Sequence, residues 1–504
     1  MKLSHRLPEK KSKYLILAVI VLLAVGVRCV FFSGGIRGSD AYAYAQYAYD
    51  ISSNAYYPGD IADHFGFRYT VLLPTALSYA LFGVNDFSSS FFIFLASIAN
   101  ILIIFKIGEK LYDVETAFLA GTLLAFYPLD VLGASFLGPD SFTPFLSSLA
   151  IFCYLKGLDN SHRIKRVFFF IVVGTIIGIA VGARETSIFL LGVLFLFHVF
   201  KRRSPTHLLW ILAGFGVPVI AEMIYYYIAV GSPFLRFEIL DQLKILIRND
   251  YQESAGSLLY YPRMMFGFNL QGLATYGLIW WFTALGLILA YIKKDNRNLL
   301  PGIWVVLPFL GFEFGLQSFK EMILISKNYN YLALITPPVM LLSAYFLNQF
   351  FKARYFTNKR TLYLPILLLC LISMNLYGTY RVFLNVRDDA APYVTVANYL
   401  KKAPKKTIYI HHGRWPLFLN YFLRYDPLWQ FRNLDETDEE NRNNIANAYV
   451  IIHKRYVEAD VIGRPFKQLP DYARYVDNPP STWERVLTFS GNPPYNDVCM
   501  YYAK

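Results

Sequence analysis

The chain has 504 residues, 55% hydrophobic and 18% aromatic but only 16% charged, with a formal net charge of +13. That balance excludes an ordinary soluble globular domain, in which about a quarter of the residues are charged. It points to a membrane protein whose backbone is helical wherever it meets hydrocarbon, because no water is there to satisfy its polar groups.

The first apolar segment, residues 14–32, is longer than the roughly 7 to 15 residues of a signal-peptide core and lacks a clean small-residue cleavage site, so a retained anchor is expected. Next comes GSDAYAYAQYAYDISSNAYYPG, residues 38–59. Its Ala/Tyr alternation has the period of a strand, but an unpaired strand edge at a membrane surface leaves backbone groups unsatisfied, so a helix is expected. As a helix, Asp40, Tyr44 and Tyr47 share one stripe, while Tyr42 and Tyr49 fall on the opposite, membrane-facing one. Tyrosines there place their rings in the apolar zone and their hydroxyls in water. The bland role for Gly38, Ser39 and Asp40 is to cap the helix.

Further spans are predicted near 87–105, 115–132, 141–157, 167–183, 185–200, 207–230, 267–292, 300–318, 328–350 and 361–380, giving about eleven transmembrane helices. With these spans, the basic clusters all fall on one side. They comprise Lys2 to Lys13, Lys106 with Lys110, Lys156 to Arg166, Lys201 to Arg203, Lys293 to Arg297, and Lys352 to Arg360. By the positive-inside rule that side is the cytoplasm and the N-terminus lies there. Topology therefore accounts for the positive charge, and no nucleic-acid partner is needed.

Facing outward are then the first loop (33–86), the loop ending at Asp140, residues 231–266 and 319–327, and everything after Tyr380. Asp140, in LGPDSFTPF, is a second outward acid. A helix cap is its bland role, while two acids on separate outward loops suit a general base with a positioning partner. Arg68 (HFGFRYTVLLP), Arg184 (GARETS), and Lys320 and Lys327 (SFKEMILISKN) are outward cations. They either snorkel at span ends or gather around the phosphate of a lipid. Glu222 and Glu313 lie within spans, where a charge costs about 2.5 to 3.5 kcal/mol on insertion scales, so both should face the bundle, in a paired structural or a catalytic role. His64, beside Asp60 and Asp63, is a candidate metal ligand. His198 reads as packed, and His411 and His412 as tail residues without helical ligand spacing. Cys29, Cys153 and Cys370 fall in spans and Cys499 in the tail, so no disulfide framework is expected. From Arg381 the composition turns polar. Apolar runs (TIYIHH, AYVIIHK) alternate with a helical pattern (APYVTVANYLKK), which predicts a transmembrane domain over 1–380 and an extracytoplasmic α/β domain over 381–504. No internal repeat, P-loop or dinucleotide fingerprint is present.

Several stretches together resemble the GT-C class of polytopic glycosyltransferases, of the protein O-mannosyltransferase and aminoarabinose-transferase type. They are SDAYAYAQYAYDI, FRYTVLLPTALSYALFGVNDFSS, KIGEKLYDVETAFLAGTLLAFYP, GPDSFTPFLSSLAIFCYLKGL and KNYNYLALITPPVMLL, in that order over roughly residues 14–350. The resemblance implies an inverting transfer of a sugar from a polyprenyl-phosphate donor to a lipid, glycan or protein acceptor. It implies a prokaryotic cytoplasmic (inner) membrane and an active site facing outward. It matches Asp40 to the first-loop acid, as base on the acceptor hydroxyl, and Asp140 to a second acid. It places Arg68 and Arg184, joined by Lys327, at the donor phosphate, with Tyr44, Tyr47 and Tyr329 in the substrate cavity. A divalent metal ion as cofactor is left open, with His64 and Asp140 as candidate ligands. In one departure, relatives commonly follow the basic residue with a proline pair, and here Tyr69 follows Arg68.

The rivals are a lipid-linked glycan flippase or other transporter, and a lipid-linked glycan polymerase. Transporters concentrate polar residues near the midplane in broken helices and often repeat their halves, whereas here the polar residues cluster at outward span ends. A polymerase shares the donor and differs in the acceptor.

Overall fold

The computed structural model describes residues 10–32, 34, 38–242, 258–267, 276–318, 323–325, 327, 329–353, 360–410, 415–434, 437, 441–442, 444–453, 475, 478–491 and 497–504. The helices in chain order are α1 (Lys10–Val30), α2 (Gly38–Ser52), α3 (Tyr69–Phe82), α4 (Asp86–Leu111), α5 (Val114–Ala125), α6 (Pro128–Gly133), α7 (Phe142–Asp159), α8 (Arg163–Ala183), α9 (Phe189–Phe200) and α10 (Thr206–Val230). They continue with α11 (Tyr260–Phe266), α12 (Ile279–Ile292), α13 (Leu299–Phe314), α14 (Thr336–Lys352) and α15 (Arg360–Leu400). Strands β1 (Leu316–Ser318) and β2 (Ile323–Leu324) form a short antiparallel hairpin after α13.

Among the described residues six helices are long and apolar enough to cross a membrane: Lys13–Val30, Asp86–Leu111, Arg163–Ala183, Thr206–Val230, Asn330–Lys352 and Leu362–Asp388. Four shorter apolar helices, Tyr69–Phe82, Val114–Ala125, Glu185–Phe200 and Ile279–Ile292, accompany them. Two sequence expectations change. The expected first loop, 33–86, contains the apolar helix α3, whose 14 residues fall short of the roughly 20 a span needs. The expected 115–132 span breaks at Tyr127, because Pro128 opens a new helix where its missing N–H costs nothing.

Charges sort to the two ends of the bundle. At one end Lys13 and Lys106 bind Glu109, Lys110 binds Asp159, and Lys352 binds Asp113 and Glu115, the last two at 2.9 and 3.0 Å. At the other end lies a fully buried staple. The Arg28 Nε donates to Ser97 Oγ (2.8 Å), its Nη1 to the carbonyls of Ala24 and Ala125 (3.1 and 3.0 Å), and its Nη2 to the Asp130 carboxylate, which also accepts from Ser97 Oγ (2.6 Å). Each guanidinium nitrogen has an acceptor, so this pair holds α1, α4 and α6 together without leaving an uncompensated charge.

Helices α8 and α10 approach so closely that side chains are excluded. A Cβ on Gly174 would stand 1.8 Å from the Ile211 carbonyl oxygen, and one on Gly214 2.0 Å from that of Ile171. Small residues let membrane helices pack backbone to backbone, the main attraction available where lipid removes the hydrophobic drive.

Helix α15 carries the chain without interruption through position 381, where the composition shift had placed the domain boundary. Beyond it lie β3 (Thr407–Ile410), α16 (Trp415–Phe422), β4 (Gln430–Asn433), β5 (Ala448–His453), β6 (Trp483–Phe489) and β7 (Val498–Ala503). They form a five-stranded sheet of order β4-β3-β5-β7-β6, with β3 parallel to β4 and β5, and β7 antiparallel to β5 and β6. Every residue of β5 is buried, as its unbroken apolar run requires of a central strand.

The glycine contact makes a prediction. Gly174→Ala should lower the thermal midpoint in detergent, with an overpacking cost of about 1 to 3 kcal/mol. Gly26→Ala, whose Cβ would meet nothing within 4 Å, should not.

Candidate active site

Helix α2 delivers one face to the end of the bundle opposite the basic ion pairs. Asp40 in its first turn is exposed, and Tyr44 one turn later is buried. Arg68 stands at the N-cap of α3, where the chain turns from the first connection into the helix. Its Nη1 donates to the Tyr44 hydroxyl, and its guanidinium lies 5.8 Å from the ring centroids of both Tyr44 and Phe65. Burial pushes the Tyr44 phenol up to about 12 although Arg68 and Arg184 favour its ionised form, so Tyr44 stays a neutral hydroxyl.

Arg184 lies between α8 and α9 with extended backbone. Its Nη2 donates to Asp140 Oδ1 at 2.6 Å, and its guanidinium sits 5.7 Å from the Tyr331 ring centroid. The cap role weighed for Asp140 is not the one adopted: Ser141 is the N-cap of α7, and the Asp140 carboxylate turns to Arg184. Burial raises the Asp140 carboxyl above its ordinary value, Arg184 and Arg68 oppose this, and the charge of Asp40 adds to the rise. Asp40, Asp140, Arg68 and Arg184 are therefore within electrostatic reach of one another. Four different stretches of chain bring them there.

Arg68 and Arg184 are nearly as buried as Arg28 but differently satisfied. Among the described residues, Arg68 Nε and Arg184 Nε and Nη1 have no acceptor. The hydroxyls of Ser141, Thr143, Thr186 and Ser187, flanking Asp140 and Arg184 in sequence, are likewise buried without partners. Buried donors normally find partners, and each exception asks for a reason.

Behind Arg68 runs a row of charges of which sequence reasoning singled out Glu222 but not Glu185 or Arg236. Arg68 Nη2 reaches Glu185 Oε2 (3.4 Å), Arg236 Nη2 donates to Glu185 Oε1 (2.7 Å), and Arg236 Nη1 donates to Glu222 Oε1 (3.1 Å), which also accepts from the Tyr226 hydroxyl (2.8 Å). The Arg-Glu dipeptide at a span end was the available signal. Glu222, expected to face the bundle, has found its partner in Arg236.

The other predicted site residues are placed as follows. Tyr47 lies against Asp63, and burial together with that neighbouring charge pushes its phenol up to about 12. Lys327 donates to the carbonyls of Phe312 (2.9 Å) and Glu313 and lies 3.7 Å from the Glu313 carboxylate. Glu313 is fully buried and accepts from the amides of Leu259, Tyr260 and Tyr261 (2.5, 3.2 and 3.1 Å), capping the start of α11. The side chain of Tyr329, Lys320, and His411 and His412 lie outside the described residues. His64 packs on Phe65, ring centroids 4.0 Å apart and planes tilted by 38°. Among the described residues no group of three His, Cys, Asp or Glu could hold a metal. Asp140 is committed to Arg184, and two guanidinium groups oppose a cation there, so this donor set does not fit a divalent ion.

One departure from the expected stripes is clear. Tyr42 and Tyr49, expected to face the membrane, instead face the C-terminal domain. The Tyr42 ring centroid lies 4.1 Å from that of Phe418, and Tyr49 stacks on Tyr425 at 4.2 Å and 15°. The α2 helix is sandwiched rather than interfacial.

Residues 71–228 match the family of dolichyl-phosphate-mannose-protein mannosyltransferases. No curated protein sequence matches the chain. Among solved structures, ArnT from Cupriavidus metallidurans in the apo state superposes with a TM-score of 0.65 at 15% identity, over 96% of this chain and 97% of that one. The same protein bound to undecaprenyl phosphate gives 0.62 at 14%, with the same coverage. The archaeal oligosaccharyltransferase AglB from Archaeoglobus fulgidus, in complex with an inhibitory peptide and a dolichol-phosphate, gives 0.53 at 13%, over 90% of this chain and 71% of that one. At such identities the likeness shows the fold, and that fold is the GT-C membrane glycosyltransferase type implied by the sequence resemblance.

His64 yields a prediction. Burial, then the nearby Arg68, lower its imidazole from 6.5 to about 4. Between those two pH values the unfolded chain binds a proton that the folded one does not, so stability falls as pH drops through that window. His64→Gln should flatten the decline of the thermal midpoint there.

Proposed function

We propose that the protein is a glycosyltransferase that moves a sugar from a polyprenyl-phosphate donor to the hydroxyl of a lipid, glycan or protein acceptor at the outer face of a prokaryotic cytoplasmic membrane. The observation that carries this reading is the set of unsatisfied donors, Arg68 Nε and Arg184 Nε and Nη1, buried on either side of the Tyr44–Asp140 region. A phosphate has enough acceptor oxygens to satisfy all three, and guanidinium forks suit its geometry. Relatives of the same fold were solved with undecaprenyl phosphate and with a dolichol-phosphate.

In this reading Asp40, exposed at the start of α2, accepts the proton of the acceptor hydroxyl. The oxygen attacks the anomeric carbon from the face opposite the phosphate, and the carbon–oxygen bond to the phosphate breaks with its electron pair going to the leaving group. The sugar inverts, and Asp40 ends protonated. Arg68 and Arg184 stabilise the charge that grows on the departing phosphate. Asp140 orients Arg184, and Tyr44, held as a neutral hydroxyl, orients Arg68. Glu185 and Arg236 fix Arg68 from behind. Lys327 serves the end of α13 and its contact with Glu313. The concentration of these groups at one end of the bundle, not at its midplane, favours an enzyme over a transporter.

Asp40→Asn should retain binding of undecaprenyl phosphate and lose transfer about 10²- to 10⁴-fold, the usual contribution of a positioned base. Arg184→Gln should weaken lipid-phosphate binding by about tenfold or more, the scale of a hydrogen bond to a charged group. Near-normal turnover in Asp40→Asn would remove it as the base, and uphill transport by liposomes bearing the protein would favour a transporter.

A further inference from the structure

The face of α2 that turns away from Asp40, Tyr44 and Tyr47 is gripped by the C-terminal domain. Phe418 of α16 packs on Tyr42 (4.1 Å) and on Tyr393 of α15 (4.4 Å), so one ring bridges the catalytic helix and the helix that leads into the sheet. Trp415, one turn earlier in α16, packs on Tyr393 and on His453 at the end of the buried strand β5, at 4.4 and 5.5 Å. The grip is thus anchored on the best-buried strand of the domain.

A second grip lies just past α16. The Tyr425 amide donates to the Asn420 carbonyl (2.7 Å) and the Arg424 amide to the Tyr421 carbonyl (2.9 Å), the paired bonds of a Schellman ending. That ending normally uses glycine, yet Arg424 and Tyr425 both adopt left-handed backbone, at φ 60° and 55°. Non-glycine residues persist in that region when their surroundings fix them. The result is to lay the Tyr425 ring flat on Tyr49 at 4.2 Å. The Tyr425 hydroxyl has no partner, so the ring makes the contact. Tyr421 completes the attachment through its hydroxyl, hydrogen-bonded to Asp86 (2.9 Å) and Ser89 (2.9 Å) at the start of α4.

We propose that the C-terminal domain is a clamp that sets the position of α2, and that Tyr425 and Tyr421 are positioning residues for Asp40. This rests on the transferase reading, because it gives Asp40 a task for which its position matters. The clamp acts through α2 and touches no reacting atom. Losing it should lower turnover by more than donor affinity, because Arg184 is held by Asp140 and Arg68 is held by Glu185 as well as by Tyr44 of α2.

The test uses the full chain in lipid nanodiscs. Hydrogen exchange of the 38–52 amides should quicken about tenfold or more in Tyr425→Ala, with α4 and α8 unchanged, and Tyr425→Phe should restore it, since the ring suffices. Tyr421→Phe, which keeps the ring but cuts the two hydrogen bonds, should loosen α2 by less. With a polyprenyl-phosphate sugar that supports wild-type turnover, Tyr425→Ala should lose about tenfold or more in kcat, with a smaller loss of affinity for undecaprenyl phosphate. Unchanged exchange in 38–52, a rise spread over the whole bundle, or an equal loss in Tyr425→Phe would overturn the clamp. So would loosening of α2 with an unaltered kcat. A wild-type protein that transfers no sugar but whose α2 loosens in Tyr425→Ala overturns the transferase reading and leaves the clamp standing.

Discussion

A guanidinium shut away from water must find acceptors for its N–H groups, and at one end of this bundle two of them do so only in part. Arg28 shows what the fold does with an arginine meant to hold helices together: every nitrogen has an acceptor, and Asp130 balances the charge. Arg68 and Arg184 are held as firmly, by Tyr44 and Glu185 in one case and by Asp140 in the other, yet each keeps donors in reserve. Burying donors without partners is costly, and in the proposed reading the phosphate of a lipid offsets that cost by accepting from them.

The rest of the site can be read as support for this pair. The row Glu185, Arg236 and Glu222 spreads charge along the C-terminal ends of α8 and α10, and those two helices are locked backbone to backbone through Gly174 and Gly214. The proposed base is mounted differently. Asp40 sits on a short helix with the cation-holding bundle on one face and the C-terminal domain on the other.

Much of this was legible in the sequence where a local pattern carried it. Lys13, Lys106, Lys110 and Lys352, from three of the basic clusters, fall at one end, where they pair with acids. The helical stripe of Asp40, Tyr44 and Tyr47 held because a 3.6-residue period is a property of the backbone alone. Helix α3 went unseen because a 14-residue apolar run is shorter than any spanning window. Tyr42 and Tyr49 were assigned to lipid because their true partners, Phe418 and Tyr425, lie more than 370 residues further along, and no local pattern marks such a contact. Glu185 was passed over because its meaning depends on Arg68 and Arg236, which only the fold brings to it.

A structure of the protein with undecaprenyl phosphate in a lipid nanodisc tests the central claim most directly. The account predicts the phosphate between Arg68 and Arg184, its oxygens within hydrogen-bonding distance of Arg68 Nε and Arg184 Nε and Nη1, with Asp40 facing the side from which an acceptor would arrive. A phosphate bound elsewhere, with those three nitrogens still unsatisfied, would contradict it.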